Sequence, residues 1–308
     1  MQYDYDVAVY MGSLPKIANH NLKVQLMEAF AEGASKHGAK VFLGDLSRKL
    51  VNAKLAVMIG WIGMNFSGPH IYFRRDIVEH QKRIGGRVMP IDGSCFKFSK
   101  EGNMWLRYSL DDVFYDTGEY ANIGADDSHW RQISKTLDIR CDPWRQQGDH
   151  ILICLQRDSG WNAKGFDQNS WLLKTIKIIQ SRSNRKIKIR PHPATLKTNW
   201  NKICGDYNNL EVVNSATSSL QENLQGAHCA VFYNSSSSVA AVLAGIPVFV
   251  SDPSAVTWQV ANQNIKNIEN PVMPDRTQWL NELSACHWTI EQSRQGDIYK
   301  NFKPFLPS

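Results

Sequence analysis

The stretch "VFYNSSSSVAAVLAGIPVFV" (231–250) holds an apolar run, a polar loop, a small-residue helix pattern and a second apolar run. Both apolar runs are continuous and do not alternate with polar residues. Continuous runs are typical of parallel strands that are covered on both faces. A strand, a helix and a second strand in so short a span indicate a crossover unit, and such units build α/β folds.

The same alternation of strands and helices extends over both halves of the chain. In the first half, strands are predicted at 5–12, 40–45, 55–63 and 87–92. A helix with apolar residues four positions apart follows the first strand and stops at Gly38. In the second half, strands are predicted at 150–156, 186–190, 210–214, 229–234 and 246–252. The fold class is therefore predicted to be α/β, with two facing Rossmann-like, doubly wound domains and a cleft between them.

The domain boundary is expected near Gln147 and Gly148. Residues 95–148 are rich in Gly, Asp, Tyr and Asn and show no clean periodicity until a helix pattern at 126–137. We expect an irregular surface segment there. The predicted domains are 1–147 and 148–290, and a terminal helix at 291–308 is expected to cross back to the first domain.

Composition excludes several classes of protein. The 308 residues are 43% hydrophobic and 21% charged, which is typical of a globular protein. No apolar run approaches the roughly 20 residues that span a bilayer, and the N-terminus has acids where a signal peptide has bases. The six cysteines are scattered, so neither a zinc site nor a disulfide framework is expected. We expect a cytoplasmic protein without membrane association, in the host cytoplasm if the gene belongs to a phage.

The serine run 235–238 directly follows a predicted buried strand. Open α/β sheets bind ligands at the carboxyl ends of their strands. Serine hydroxyls and backbone amides at such a point can hold phosphate oxygens. The simpler alternative is a polar loop with one serine capping the helix. We predict that Asn234 and Ser235–Ser238 bind the phosphates of a nucleotide.

Two other predicted strand ends in the same half carry suitable donors. "KIKIRPHP" (186–193) ends on Arg190 and holds His192 between two prolines, which restrict the loop. An arginine offers a forked pair of donors to phosphate, and a histidine can donate to an oxyanion. Gln156 and Arg157 follow the strand at 150–156. Convergence of these loops on one diphosphate is predicted.

The first half offers weaker candidates. Gly12 and Ser13 end the first predicted strand and are assigned to the donor diphosphate site. Asp92 ends the strand at 87–92 and is the predicted catalytic base, although an aspartate at a strand exit is commonly a turn residue. No GxGxxG, P-loop or GxSxG pattern occurs, so the usual dinucleotide, kinase and hydrolase signatures are missing. No metal site is expected.

The strand-end motifs resemble a known family. "KIRPHP", followed by "VFYNSSSSVAAVLAGIPVFV", resembles the donor-binding half of GT-B glycosyltransferases, closest to the capsule-polysaccharide type. The resemblance covers about residues 150–255. It implies that the second domain holds a nucleotide sugar, with UDP expected as the nucleotide. It also implies that the first domain holds the acceptor and the base. The helix "VAAVLAG" departs from the family because it lacks the glutamate that contacts ribose in many members.

The remaining chain resembles glycosyltransferase-like proteins of tailed bacteriophages. That resemblance implies transfer to 5-hydroxymethylpyrimidine in double-stranded DNA. The net charge of +6 and the pI near 8.9 are compatible with a polyanionic partner, and equally with many metabolic enzymes. The residues assigned to the acceptor surface are Arg74, Arg75, Lys97 and Trp105. Two alternatives stay open: a transferase acting on a saccharide or lipid-linked glycan, and a non-catalytic module that binds nucleotide or DNA.

Overall fold

The computed structural model describes residues 2–14, 20–62, 67–96, 104–157, 166–195, 198–205 and 207–308. The strands are β1 (Tyr5–Tyr10), β2 (Val41–Gly44), β3 (Ala53–Ile59), β4 (Arg87–Asp92), β5 (Leu106–Tyr108), β6 (His150–Cys154), β7 (Lys186–Arg190), β8 (Leu210–Val212), β9 (Ala227–Phe232), β10 (Val248–Val250) and β11 (His287–Trp288). The α-helices are α1 (His20–Lys36), α2 (Pro69–Ile84), α3 (Ser128–Leu137), α4 (Gln168–Gln180), α5 (Trp200–Cys204), α6 (Leu220–Leu224), α7 (Ser238–Leu243), α8 (Thr277–Ala285), α9 (Ile290–Gln295) and α10 (Asp297–Phe302).

The chain divides into two compact units. Unit 1 comprises Met1–Asp138 and Leu280–Ser308, and unit 2 comprises Ile139–Trp279. The division therefore falls nine residues before the predicted boundary at 147, and the return segment starts at Leu280 and not at 291. Hydrogen bonds explain the earlier boundary, since Asp142 N donates to Leu243 O (2.7 Å) inside unit 2. An extended segment of this kind has no periodicity that would reveal its partner.

The sheet of unit 1 has the order β11-β5-β4-β3-β1-β2. Strands β1 to β4 pair in parallel, as the sequence predicts. Strands β5 and β11 run antiparallel at one edge and were not predicted. They are short, and they pair segments that are distant in the chain, so a local pattern carries no signal for them. Helix α1 contributes Met27 and Phe30 to the core on one face, and α2 contributes Ile77 to the core on the other.

The sheet of unit 2 has the order β10-β9-β6-β7-β8, and every pair in it is parallel. Helix α4 packs against it through Leu172, Ile176 and Ile179, which recur at helical spacing in the sequence. The two α/β units confirm the predicted fold class. Among the described residues, no helix combines the length and the apolar character needed to cross a membrane.

The C-terminal helices pack on α1 inside unit 1. A Cβ added at Gly33 of α1 would lie 2.0 Å from Ser293 O and 2.8 Å from the backbone of Gly296. The helices therefore touch backbone to backbone at this point, which only glycine allows. Nε2 of His37 donates to Gln295 O at 2.9 Å beside this contact. The return of the chain to unit 1 depends on this close approach.

We predict that Gly33→Ala lowers the free energy of unfolding by about 2 kcal/mol or more, because the added methyl overlaps backbone atoms. Replacement of a glycine by alanine at an open helix position would instead raise the free energy of unfolding by roughly 0.5–1 kcal/mol. Ser35→Ala, on the exposed side of α1, is the control and should change stability by less than about 0.5 kcal/mol. Urea unfolding measures both, and equal stability of the two variants would contradict the close packing.

His287 joins β11 to the loop after β4. It is fully buried; Nδ1 donates to Leu283 O at 2.8 Å, and Nε2 accepts from Cys95 N at 3.0 Å. Both ring nitrogens are used by the neutral imidazole. Burial lowers the pKa of His287 to about 3, with Arg107 and His129 adding to the effect. A proton on the ring would break the bond from Cys95.

Stability should therefore fall with acid below the ordinary histidine pKa. Between about pH 6.5 and pH 3 the unfolded chain binds a proton at this position that the folded chain does not bind. At pH 5 this costs about 2 kcal/mol relative to pH 7. His287→Gln, which keeps one donor and one acceptor, should unfold in urea with a shallower dependence on pH between 7 and 5. An unchanged slope would show that His287 is not the group that titrates.

Candidate functional site

The carboxyl edge of the unit 2 sheet holds a cavity of about 280 Å³. Strands β6, β7 and β9 are neighbours and parallel, so the loops that follow them start at the same edge. The residues that line the cavity are Cys154, Leu155, Arg190, Pro191, His192, Pro193, Leu220, Ser235, Ser236 and Ser237. The structure thus brings together the two motifs that the sequence singled out.

Arg190 is the arginine among the residues that line this cavity, and its side chain is 8% exposed. Its Nη1 donates to Ser218 O at 2.9 Å and to Asn223 Oδ1. Among the described residues, no carboxylate lies within ion-pair distance of it, and no hydrogen bond leaves Nε or Nη2. Burial lowers its pKa. One nitrogen anchors the guanidinium, and the others are available to an anion in the cavity.

His192 is held in one orientation by its own loop. The backbone N–H of Ala194 donates to Nδ1 at 3.0 Å, and Thr195 N donates to His192 O at 2.9 Å. Because Nδ1 accepts a hydrogen bond, the proton of the neutral ring resides on Nε2. The half-buried ring is therefore oriented as a neutral donor on the cavity wall.

The serine run lies at the start of α7. Ser237 is the residue before the helix, and its side chain makes no capping hydrogen bond. The hydroxyl of Ser235 pairs with that of Ser237 at 2.7 Å and accepts from the backbone N–H of Ser237 at 3.3 Å. Within the described residues, the backbone amides of Ser235 and Ser236 make no hydrogen bond. One serine therefore bonds an amide next to the helix start, and Ser235, Ser236 and Ser237 all line the cavity.

Ser238 is different from the other three serines. It is fully buried, and Thr257 Oγ1 donates to its hydroxyl at 2.9 Å. Ser238 is not among the residues that line the cavity, so the structure gives its hydroxyl an internal partner and no exposure to a ligand there.

Gln156 and Asn234 belong to a buried network behind the cavity. Gln156 Nε2 donates to Asn234 Oδ1, and Asn234 Nδ2 donates to Ser254 Oγ at 2.7 Å. Ser254 in turn donates through its hydroxyl to Asp252. The network links the ends of β6, β9 and β10, so the Nδ2 and Nε2 amide groups of Asn234 and Gln156 are used within the protein.

Arg157 lies apart from Arg190. It is exposed and borders a second cavity of about 250 Å³, together with Phe166, Asp167, Gln168, Asn169, Thr198 and Trp200. The predicted convergence of Arg157 with Arg190 on one cavity is not found. The glycines and the lysine that follow it in the sequence lie outside the described residues.

Sequence reasoning missed the groups that orient Arg190. Ser218 and Asn223 come from the turn before α6 and from the helix itself. Ser219 and Glu222 form a capping box that starts α6, and this motif was the available signal. An aromatic cluster was also missed: the rings of Phe166 and Tyr233 stack at 3.8 Å with an angle of 4°. Burial and the neighbouring Asp252 raise the pKa of Tyr233 to about 12.

The unit 1 candidates have internal partners. Gly12 and Ser13 are buried, and the Ser13 hydroxyl donates to Tyr10 O at 2.7 Å. The structure therefore places both residues in the core of unit 1, and their assignment to the donor site stays a prediction. Asp92 accepts from Arg107 Nη2 at 2.6 Å in a largely buried ion pair. Arg107 therefore already bonds Oδ2 of Asp92, one of the two carboxylate oxygens that could accept a proton from an acceptor.

Two of the four residues assigned to a DNA surface are buried. Arg74 is buried and donates to two backbone carbonyls. Trp105 is 4% exposed, and Arg75 lies over the ring of Tyr72. Lys97 lies outside the described residues. The described residues also contain no group of three or more His, Cys, Asp or Glu side chains that could hold a metal ion.

No family model and no curated protein matches the chain. Two solved structures from Thermosulfurimonas dismutans are similar. One is the KpsC beta Kdo 2,4 transferase, with a TM-score of 0.57 and 11% identity over 92% of this chain and 91% of that chain. The other is the KpsC beta Kdo 2,7 transferase, with a TM-score of 0.54 and 15% identity over 96% of this chain and 99% of that chain. At these identities the similarity shows a shared fold, that of the GT-B glycosyltransferases.

The contrast between Ser236 and Ser238 is testable. Ser238→Ala leaves the buried hydroxyl of Thr257 without its partner and should cost about 1–3 kcal/mol of stability. Ser236→Ala removes an exposed hydroxyl and should leave the thermal midpoint unchanged while weakening the binding of pyrophosphate. Thermal unfolding with and without pyrophosphate measures both effects. Loss of stability in Ser236→Ala would contradict the assignment.

Proposed function

We propose that the chain is a glycosyltransferase that moves a sugar from a nucleotide-sugar donor to a hydroxyl group of a saccharide. The observation that carries this proposal is Arg190, a buried cation without a carboxylate partner among the described residues, in a cavity at the carboxyl edge of a parallel sheet. A buried charge is costly unless it is paired. A phosphate of the donor would supply the missing charge.

The donor is proposed to lie with its phosphates in the cavity of unit 2. Arg190 would donate through Nε and Nη2, His192 through Nε2, and the serine loop through the hydroxyl and amide of Ser236. These groups are neutral or positive donors at fixed positions, as phosphate recognition requires. We propose a UDP-sugar as the donor.

The reaction breaks the bond between the anomeric carbon and the phosphate oxygen of the donor. The acceptor oxygen forms the new bond to the same carbon and loses its proton to a base. The nucleotide leaves with the bonding electrons, so negative charge grows on its phosphate in the transition state. Arg190 and the Nε2–H of His192 stabilise that charge and therefore lower the barrier. Asp92 as the base stays a prediction.

A saccharide acceptor is favoured over DNA. The two similar structures are named as transferases of the sugar Kdo, and the fold is shared with them. Of the four residues assigned to a DNA surface, Arg74 and Trp105 are buried. Hydroxymethylated DNA is therefore included as the alternative acceptor in the assay described below.

The test is an assay with a panel of nucleotide sugars and two sets of acceptors. One set contains saccharides with free hydroxyls, and the other contains duplex DNA with hydroxymethylcytosine or hydroxymethyluracil. Mass spectrometry of the products detects a sugar-sized gain. A sugar-sized mass gain on a saccharide supports the proposal. A mass gain on DNA and on no saccharide would show that the acceptor is DNA. Donor binding without any transfer or donor hydrolysis would favour the non-catalytic alternative.

We predict that Arg190→Gln lowers kcat by about 10²–10³-fold, the range found when one donor to a developing oxyanion is removed. The matched control is Arg182→Gln, which removes an exposed arginine of the same unit and should leave kcat unchanged. Circular dichroism establishes that both variants fold. Equal kcat values for the two variants would remove Arg190 from the mechanism.

A further inference from the structure

Unit 1 contains a second group of cations at the carboxyl ends of its strands. We define the Arg74 cluster as Lys23, Arg48, His70 and Arg74. Arg74 lies on α2 and reaches the turns that follow β1 and β3. Its Nε donates to Ser13 O at 3.1 Å, and its Nη1 donates to Trp61 O at 3.2 Å. The guanidinium is therefore fixed where two parallel strands end.

Two glycines show how closely the arginines lie on these turns. A Cβ at Gly60 would be 3.0 Å from Nη1 of Arg74. A Cβ at Gly12 would be 3.0 Å from Cγ of Arg48. Both side chains thus cover backbone at the strand ends, and a larger residue at Gly60 or Gly12 would displace them. The positions of Arg48 and Arg74 are determined by packing and not by a carboxylate.

The charge of the cluster is not balanced within the described residues. Arg74 is 7% exposed, its partners are neutral carbonyls, and it takes part in no ion pair there. The segments next to the cluster in sequence, 15–19 and 63–66, contain no Asp or Glu. Burial of a guanidinium without a counter-charge is unfavourable. A bound anion would offset that cost.

The neighbouring groups show the same imbalance. Burial, followed by the charges of Arg74, Arg48 and Lys23, lowers the pKa of His70. Burial and the charge of Arg74 lower the pKa of Lys23, and burial lowers that of Arg74 to about 10. The charges that shift the pKa values of His70 and Lys23 are all positive.

Helix α2 adds a further positive contribution. It is 16 residues long, and it starts after Gly68, which provides no side-chain cap. His70 lies in its first turn. The positive end of a helix dipole attracts an anion placed there. The buried Arg74, the surrounding cations and the start of α2 converge on the same region of unit 1.

We propose that the Arg74 cluster binds an oxyanion, a phosphate or carboxylate group carried by a ligand of unit 1. The buried guanidinium of Arg74 holds the anion from below, and Lys23 and His70 contact it from the solvent side. The ligand is bound by charge and not by base recognition. This proposal stands independently of the donor site in unit 2, because no residue of the Arg190 cavity takes part in it.

The experiment titrates the protein with inorganic phosphate by calorimetry. Arg190→Gln is used as the background, so that the unit 2 cavity does not contribute. In this background we expect phosphate to bind, and Lys23→Gln should weaken that binding about tenfold. Lys82→Gln removes an exposed lysine from the far end of α2 and is the matched control, with an unchanged Kd. No phosphate binding in the background, or equal effects of the two lysine variants, would overturn the proposal.

Two further measurements complete the test. In the wild-type protein, the ring resonances of His70, assigned by their loss in His70→Gln, should shift as phosphate is added. Absence of that shift would overturn the proposal even if Arg190→Gln fails to fold. Glucose 6-phosphate, glucuronate and glucose then distinguish the two sources of charge. Binding of glucose 6-phosphate identifies a phosphate ligand, and binding of glucuronate identifies a carboxylate ligand. Equal binding of these two and of uncharged glucose would show that charge is not recognised.

Discussion

Parallel pairing of β6, β7 and β9 is the constraint on which the candidate site depends. In a parallel sheet every strand leaves at the same edge, so loops that are far apart in sequence become neighbours. Arg190 and Ser236 are separated by dozens of residues, yet both border one cavity. The network from Gln156 through Asn234 to Ser254 then keeps the strand ends in register. Without that alignment the cations and hydroxyls would not meet.

The buried arginines separate into two kinds. Arg107 pairs with Asp92, so its charge is balanced inside the protein, and we regard that pair as structural. Arg190 and Arg74 are comparably buried, and among the described residues they donate hydrogen bonds only to neutral groups, while Glu222 acts on Arg190 from beyond ion-pair distance. The difference matters because the desolvation of a charge is offset only by an opposite charge or by a strong set of hydrogen bonds. This physical difference, and not the residue type, points to ligand sites.

The fold itself is held by ordinary packing. Continuous apolar strands are covered by helices on both faces, and the C-terminal helices close one face of unit 1 against α1. The close approach at Gly33 lets the end of the chain return to the unit in which it began. The cores of the two units are built from apolar residues. The polar groups at the strand ends are therefore not needed for core packing and can bind ligands.

Much of the secondary structure could be predicted from the sequence. The parallel strands, the helix at 126–137 and the apolar stripe of α4 follow from local periodicity, which depends only on neighbouring residues. The edge strands β5 and β11, the boundary at 138 and the return at Leu280 depend on contacts between distant segments. No local pattern contains them.

The candidate site divides in the same way. The α/β class and the two motifs around Arg190 and Ser235 could be predicted from local sequence patterns, because strand ends and serine runs are local features. The availability of each donor depends on the tertiary structure. That structure buried Ser238 with Thr257, moved Arg157 to another cavity and paired Asp92 with Arg107. Burial and charge balance depend on every segment that packs around a residue, and a sequence pattern contains only the residue and its neighbours.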